Sequence, residues 1–421
     1  MCTSLTPDFQ FIKALISRCL IAGTMIMMVA VTMGQTAFTV TDAQVDAVHS
    51  AALPLDAHVD ILMPTTRDGY RTEDGVSQAT VEKLRNGGMA TVTFALHSPN
   101  GPETPEGIAF ARNEIDAKLA KIHEIAAANP DDVEIAYSTV DIERITGSGK
   151  IAFLVGFQNV WGFGGDASLL DHYVAQGVRV FAFNHAGNNF FADSSRPFVT
   201  GDTPNDGLSE LGQAAVRRLN DLGVIIDVSQ LTPDALLQTI TLSRTPVIAS
   251  HSAVRALVDE PRNLHDYEMQ AIAEAGGVIH LPPFNTYTAP RPQEFVQRLQ
   301  SIRREFGLPP EFRGVLDDVE LLQGSQAGAY TGQALAAVPR ATLDDYVDKI
   351  DYVVNLVGID HVGFGSDFDH GSRVIGFKDL GEAKNLTREL LERGYSTEDI
   401  KKFWSGNFMR VFRAVEEAAE N

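Results

Sequence analysis

The sequence predicts an α/β protein, a (β/α)8 TIM barrel forming a single catalytic domain. Three observations carry this. Eight short runs rich in Val, Ile, Phe and Ala recur along the chain, and they lack polar alternation, as strands covered on both faces do. Longer amphipathic segments lie between them, so strand and helix alternate. Gly177, Gly223 and Gly276 each fall just after a helical pattern and just before a strand, where helix ends favour glycine. An open doubly wound sheet would share the alternation, but no Gly-rich dinucleotide fingerprint follows the first strand.

The elements follow in order. Residues 1–39 read as a secretory signal and leader. Lys13 and Arg18 precede the uncharged run Leu20 to Met33, and Gln35-Thr36-Ala37 supplies a small-residue exit. The run is short for a spanning helix, with an uncleaved anchor as the alternative. Residues 40–421 form the barrel domain. Its strands are expected at 55–61, 90–96, 151–157, 178–184, 224–229, 246–250, 277–281 and 361–367. Helices are expected at 108–128, 208–222, 233–242, 343–357 and 380–393. In the 343–357 segment Tyr346, Ile350, Val353, Val354 and Val357 recur at helical spacing, while Asp344, Asp345 and Asp348 face water. The stretch Asn285–Ala341, with its Pro-rich and Gly/Ala-rich pieces, reads as an excursion between the last two strands.

Charge and cysteine usage narrow the function. Among 421 residues the formal net charge is −21, which opposes nucleic acid or an anionic membrane surface as partner. Both cysteines, Cys2 and Cys19, lie in the leader, so thiol nucleophiles and Cys-ligated metals are excluded from the domain. A leader and a cysteine-free domain fit export, periplasmic or secreted, with no stable membrane insertion once the leader is removed.

Such barrels carry their chemistry at the C-terminal ends of the strands. Six predicted strands end there in polar, metal-competent residues. These are His58 and Asp60; Gln158-Asn159; Asn184-His185; Asp227-Val228-Ser229-Gln230; Ser250-His251-Ser252; and Ser366-Asp367-Phe368-Asp369. His58 and Asp60 sit two apart, so they project from one strand face, and an imidazole with a carboxylate suits a divalent ion such as zinc. One such pair is weak evidence, since a satisfied core histidine beside an acid is commoner. Six strand ends together are harder to explain structurally.

The chain resembles the membrane (renal-type) dipeptidases of the amidohydrolase superfamily. The resemblance is carried by DAHVDIL at 56–62, YVAQGVRVFAFNHAGNNFFADSS at 173–195, GLSELGQAAVRRLNDLGVIIDVSQ at 207–230, PVIASHSAVRAL at 246–257, RNLHD at 262–266, DHVGFGSDFD at 360–369 and SGNFMRV at 405–411. It implies a metal-dependent hydrolase that cleaves a dipeptide by attack of metal-activated water. Position by position, it implies His58, Asp60, His251 and Asp367 as metal ligands. It also implies Asp367 as the proton-handling carboxylate, His185 as the group that polarises the carbonyl and steadies the oxyanion, and Arg262 as the holder of the substrate's free carboxylate. A guanidinium suits that last task through its two-pronged geometry.

Two positions depart from the family pattern. Gln158 stands where many members carry a glutamate bridging two metals, and Gln230 where many carry a histidine. A neutral amide is a weak ligand for a transition metal. The expectation is therefore one ion rather than two, most simply zinc. The expected partner is a small peptide, with a homodimer left open. Two alternatives stand beside the dipeptidase: a single-metal amidohydrolase or tailoring enzyme acting on a modified peptide or other amide, and a non-catalytic binding protein on the same scaffold.

Overall fold

The computed structural model describes residues 40–66, 72, 75–98, 100–196, 205–322 and 325–419. The expected leader, 1–39, lies outside the described residues. Nine parallel strands form one sheet: β1 (Leu55–Val59), β2 (Thr91–His97), β3 (Val133–Ile135), β4 (Ile151–Gln158), β5 (Val178–Ala182), β6 (Ile225–Asp227), β7 (Ile248–Ala249), β8 (Val278–Leu281) and β9 (Val362–Phe364). Eight of them follow the order β1-β2-β4-β5-β6-β7-β8-β9, while β3 pairs only with β4 from outside. The ring closes just beyond the ends of β1 and β9. There the Asp60 amide donates to the Phe368 carbonyl at 2.9 Å, and the Asp367 amide donates to the His58 carbonyl at 2.9 Å. The fold is thus the expected (β/α)8 barrel.

The strands form where both faces are buried. Every residue of β1, β2 and β4 is buried, which is why these runs show no polar alternation. Helices Pro233–Leu242 and Leu343–Val357 match their sequence expectation residue for residue. Their starts are fixed by Thr232 and Thr342, whose hydroxyls accept the backbone N–H three residues on. The excursion between β8 and β9 holds helices of its own, Gln293–Glu305 and Ser325–Ala337. The expected strands 224–229 and 246–250 are regular only over Ile225–Asp227 and Ile248–Ala249, and two further expectations need correction. The outer strand β3 is additional to the eight. The expected strand 361–367 is regular only over Val362–Phe364, because the chain then turns and Asp367 adopts a left-handed backbone, φ +55°.

Inside the barrel, period two sorts the side chains by height. Leu55 and Ala57, Ala152 and Leu154, Val180, Ile225, Ile248 and Val278 form a buried apolar cluster with Phe408, Met409, Val411, Phe412 and Val415 of helix Asn407–Ala419, which plugs the N-terminal end. Further along the same inward register lie Gln158 on β4, four residues past Leu154, and Asp227, Ser250 and His280, each two residues past its floor residue on β6, β7 and β8, all buried. The interior therefore changes from hydrocarbon at the floor to polar groups at the mouth. Gly365 permits the close approach there, since a Cβ on it would fall 1.8 Å from the Ser250 carbonyl oxygen. Among the described residues no helix is long and apolar enough to cross a membrane.

Candidate metal centre at the barrel mouth

β1 delivers His58 and Asp60 through an irregularity. The register with β2 shifts between Asp56 and Val59, and the buried Asp56 carboxylate accepts the backbone N–H groups of His58 at 3.1 Å and Ser366 at 2.8 Å. That carboxylate ties the end of β1 to the loop carrying Asp367. Both His58 and Asp60 reach the mouth, as expected, but they join different groups.

His58 stacks on His251, ring centroids 3.7 Å apart, and both rings turn Nδ1 toward Ser250. Ser250 Oγ donates to Asp227 Oδ2 at 2.5 Å and lies 2.7 Å from His251 Nδ1 and 3.3 Å from His58 Nδ1. A hydroxyl has one proton, and here it goes to Asp227. The network therefore assigns Nδ1–H to both imidazoles, donating to Ser250, and leaves each Nε2 with a lone pair. The lone pair of His251 is engaged: the amide nitrogens of Gln158 and Gln230 lie 3.1 and 3.2 Å from its Nε2. Gln230 is held in that orientation by Arg196, which donates to its Oε1 at 2.5 Å and to the Tyr287 hydroxyl at 3.3 Å. His58 Nε2 is buried without a hydrogen-bond partner, as is Gln158 Oε1.

Asp60 enters a second group with His97 and His370, whose ligand atoms lie within 4.8 Å of one another. Asp60 Oδ2 pairs with His370 Nδ1, while Asp60 Oδ1 and His97 Nε2 are buried and unpartnered. His185 stands alongside, its Nε2 3.2 Å from His370 Nε2 and its ring centroid 4.2 Å from that of His97. His97 is the last residue of β2, in the inward register of Thr91, Thr93 and Ala95, and its carbonyl accepts the ammonium of buried Lys118 at 2.8 Å. His370 follows the turn in which Asp367 and Asp369 both have positive φ, a conformation Asp tolerates better than most residues.

Burial sets the protonation of these groups. It lowers His58 to about 4, against the pull of Asp60 and Asp227, and it lowers His97, His185 and His251 well below the ordinary value. At neutral pH those four rings are neutral, the form that can ligate a metal. Burial also acts to raise Asp60, but the charge and hydrogen bond of His370 outweigh it and hold this carboxyl well below the carboxylate range. Asp367 is pushed up to about 7 by burial and by Asp60, with His370 and Arg262 pulling the other way.

Arg262 is almost fully buried. It donates to Ser252 Oγ at 3.0 Å and to the His251 carbonyl at 2.5 Å, and it lies over the Tyr287 ring at 5.9 Å. Two of its donors are thus committed to the protein. Half-buried Arg196 is a second guanidinium at the mouth that the sequence reading did not weigh. His97 and His370 were also missed. The available signals were a histidine directly after the second apolar run and another directly after Asp367-Phe368-Asp369. All eight residues singled out from the sequence, His58, Asp60, Gln158, His185, Gln230, His251, Arg262 and Asp367, are buried.

The orphaned His58 Nε2, Asp60 Oδ1 and His97 Nε2 are borderline nitrogen and hard oxygen donors of the kind a divalent transition ion takes. Comparison with known proteins agrees. A family model for membrane dipeptidases (Peptidase family M19) matches residues 42–421. Dipeptidase tcpJ of Claviceps purpurea is 31% identical over 291 residues, 69% of this chain and 57% of that protein, so the match spans little more than half of that relative. The crystal structure of the probable dipeptidase PvdM from Pseudomonas aeruginosa has a TM-score of 0.82 at 39% identity, covering 90% of this chain and 98% of that one. A metallo peptidase from Rhodobacter sphaeroides, liganded with a phosphinate mimic of the dipeptide L-Ala-D-Ala, shares the fold: TM-score 0.66, 18% identity, 86% and 99% covered.

Proposed function

The chain belongs to the membrane dipeptidase family, Peptidase family M19, and from that premise we propose that it hydrolyses the peptide bond of a dipeptide or a closely similar short amide. The family is one of metallopeptidases, which implies a divalent metal. Zinc, as a single ion, is the reading that the residues favour: the donors are imidazole and carboxylate, and the positions that would bridge or complete a pair hold the neutral amides of Gln158 and Gln230. When bound, such an ion lowers the pKa of water and polarises a carbonyl.

The chain's own residues would do the rest. Asp367, raised by burial, is suited to take a proton from the attacking water and pass it to the leaving amine. His185 lies beside His97 and His370, where a ring N–H could steady the developing oxyanion. Arg262 and Arg196 place positive charge where a substrate's free carboxylate would end. Export through the leader is part of the same proposal, supported by the basic residues before Leu20–Met33 and the cysteine-free domain.

The observation that carries this reading is the buried His/Asp set with unpartnered ligand atoms beside Asp367. The test is hydrolysis of a panel of plain dipeptides by the full chain with zinc, against the same peptides amidated at the C-terminus and against acylated or cyclic amides. Cleavage of plain dipeptides, weakened by amidation, is expected. Failure on every plain dipeptide with metal bound would sink the proposal. Turnover confined to acylated or cyclic amides would favour the second reading, an enzyme for modified peptides. That reading draws on the Arg196–Gln230–His251 contacts, which close the position a second ion would need.

A further inference from the structure

Among the described residues, two sets of three buried ligands face the barrel mouth, His58–Asp227–His251 and Asp60–His97–His370. We propose that the metal ion is held by Asp60, His97 and His370, displaced toward β2 and the loop after β9. This rests on the reading above that the mouth holds a metal, and it assigns the ligands.

Lone-pair accounting decides between the two sets. In the first, the space between the ligands is filled by Ser250 Oγ, which bonds Asp227 and meets both ring Nδ1 atoms. The remaining nitrogen of His251 faces two amide donors, which leaves His58 Nε2 as the one ring nitrogen of this set without a hydrogen-bond partner. An ion seated there would have to displace a hydroxyl that is part of β7's own exit. Among the described residues no hydroxyl fills that role in the second set, where Asp60 Oδ2 pairs with His370 Nδ1. Asp60 Oδ1 and His97 Nε2 have no hydrogen-bond partner, although Asp60 is 3% and His97 9% exposed. Leaving two such groups buried and unpaired costs roughly 1–3 kcal/mol each, which a ligated ion would remove. Two imidazoles and one carboxylate with open positions form a recognised donor set for a divalent transition ion.

The Nε2 atoms of His185 and His370 lie 3.2 Å apart. Two nitrogens each about 2.0–2.1 Å from one tetrahedral ion are separated by about 3.3 Å, so His185 stands where a fourth ligand would. The set draws on β1, β2 and the β9 loop, with His185 from the β5 exit, so the barrel's own closure assembles it.

The test is zinc binding to the EDTA-stripped full chain, with ZnCl2 as the probe. Unsubstituted protein is compared with His97→Phe, His370→Gly and His251→Phe, each checked for folding by circular dichroism. His97→Phe and His370→Gly should weaken zinc binding by more than the roughly 10–100-fold that losing an outer-shell partner costs, while His251→Phe retains about one ion per chain. Retention by the first two variants with loss in the third overturns the proposal and leaves the metal-dependent function standing. No zinc uptake by the unsubstituted chain overturns both. Should a variant fail to fold, anomalous scattering from zinc in crystals of the unsubstituted chain decides. A peak among Asp60, His97 and His370 supports the proposal, and one between His58 and His251 refutes it.

Discussion

The two sides of the barrel mouth have the same composition but differ in how many of their ligand atoms are already engaged. Each offers two buried histidines and one aspartate. On the β6–β7 side a serine hydroxyl sits among them, every ring Nδ1 has a partner, and two glutamine amides occupy His251. There His58 Nε2 alone is left over, whereas on the β2 side both a carboxylate oxygen and an imidazole nitrogen are. The lesson is that ligand type and proximity do not define a metal site. What separates these two sides is how many of the lone pairs are already spent. A hydroxyl with one proton and an amide with two can close a cluster that its histidines alone would leave open.

The largest effect should come from the open side. Replacing Asp367 by Asn removes the group that handles the proton but keeps its shape, and Asn tolerates the left-handed backbone at this position. Turnover of a dipeptide should fall by about 10²–10⁴-fold. Steady-state kinetics with zinc present would check this. An Asp367→Asn enzyme within threefold of the parent would show that another group is the base.

The closed side can be opened by chemistry. Gln158→Glu together with Gln230→His replaces two amide donors by two ligands. It also frees His251 Nε2 and leaves it beside the orphaned Nε2 of the stacked His58. Bound zinc, measured by elemental analysis per chain, should rise by about one ion. An unchanged count would mean that Ser250, and not the two amides, keeps this side closed.

Much of this was legible beforehand, for identifiable reasons. Strands buried on both faces have no polar alternation to confuse them, so β1, β2 and β4 to β9 stood out as apolar runs. The outer strand β3 escaped because it is three residues long and only Val133 is buried. The H-x-D pair on β1 was legible as two side chains aimed at one place. Their separation into different groups was not, because it depends on the register shift after Asp56 and on histidines far away in the sequence. His97 and His370 follow directly on a strand end and a loop that had been identified. A lone histidine in either place carries no signal until the barrel closes and sets them beside Asp60. Ser250 was visible as a polar strand end, but its role requires counting protons in three dimensions.

Removing that serine tests the comparison at the next level. Ser250→Ala deletes the donor to Asp227 Oδ2 and the acceptor for two ring N–H groups, while Asp227 Oδ1 keeps the Ser229 and Ser250 amides. Leaving these buried groups short of partners should cost about 2–3 kcal/mol in urea unfolding, with the m-value unchanged. A loss under about 0.5 kcal/mol would mean that the cluster is not held by its hydroxyl, and the contrast between the two sides would weaken accordingly.

The smallest expected effect is in the pH dependence of stability, and it separates the sides without any metal. Burial, aided by the charge of Asp60, lifts the Asp367 carboxyl from an ordinary value of 3.8 to about 7. The folded chain therefore binds that proton more tightly than the unfolded chain does. The resulting stabilisation is complete below about pH 4 and is lost as pH rises through about 7. Metal-free protein should lose stability across that window, and Asp367→Asn should lose less, as read from urea midpoints converted to free energy. Some slope should remain in the variant, because burial also raises Asp56 to about 7 and Asp369 to about 6. Ser250→Ala should shift the whole curve down and leave its slope close to that of the parent. If Ser250→Ala instead flattens the curve and Asp367→Asn does not, the buried proton belongs to the closed side and the two halves of the mouth have been distinguished the wrong way round.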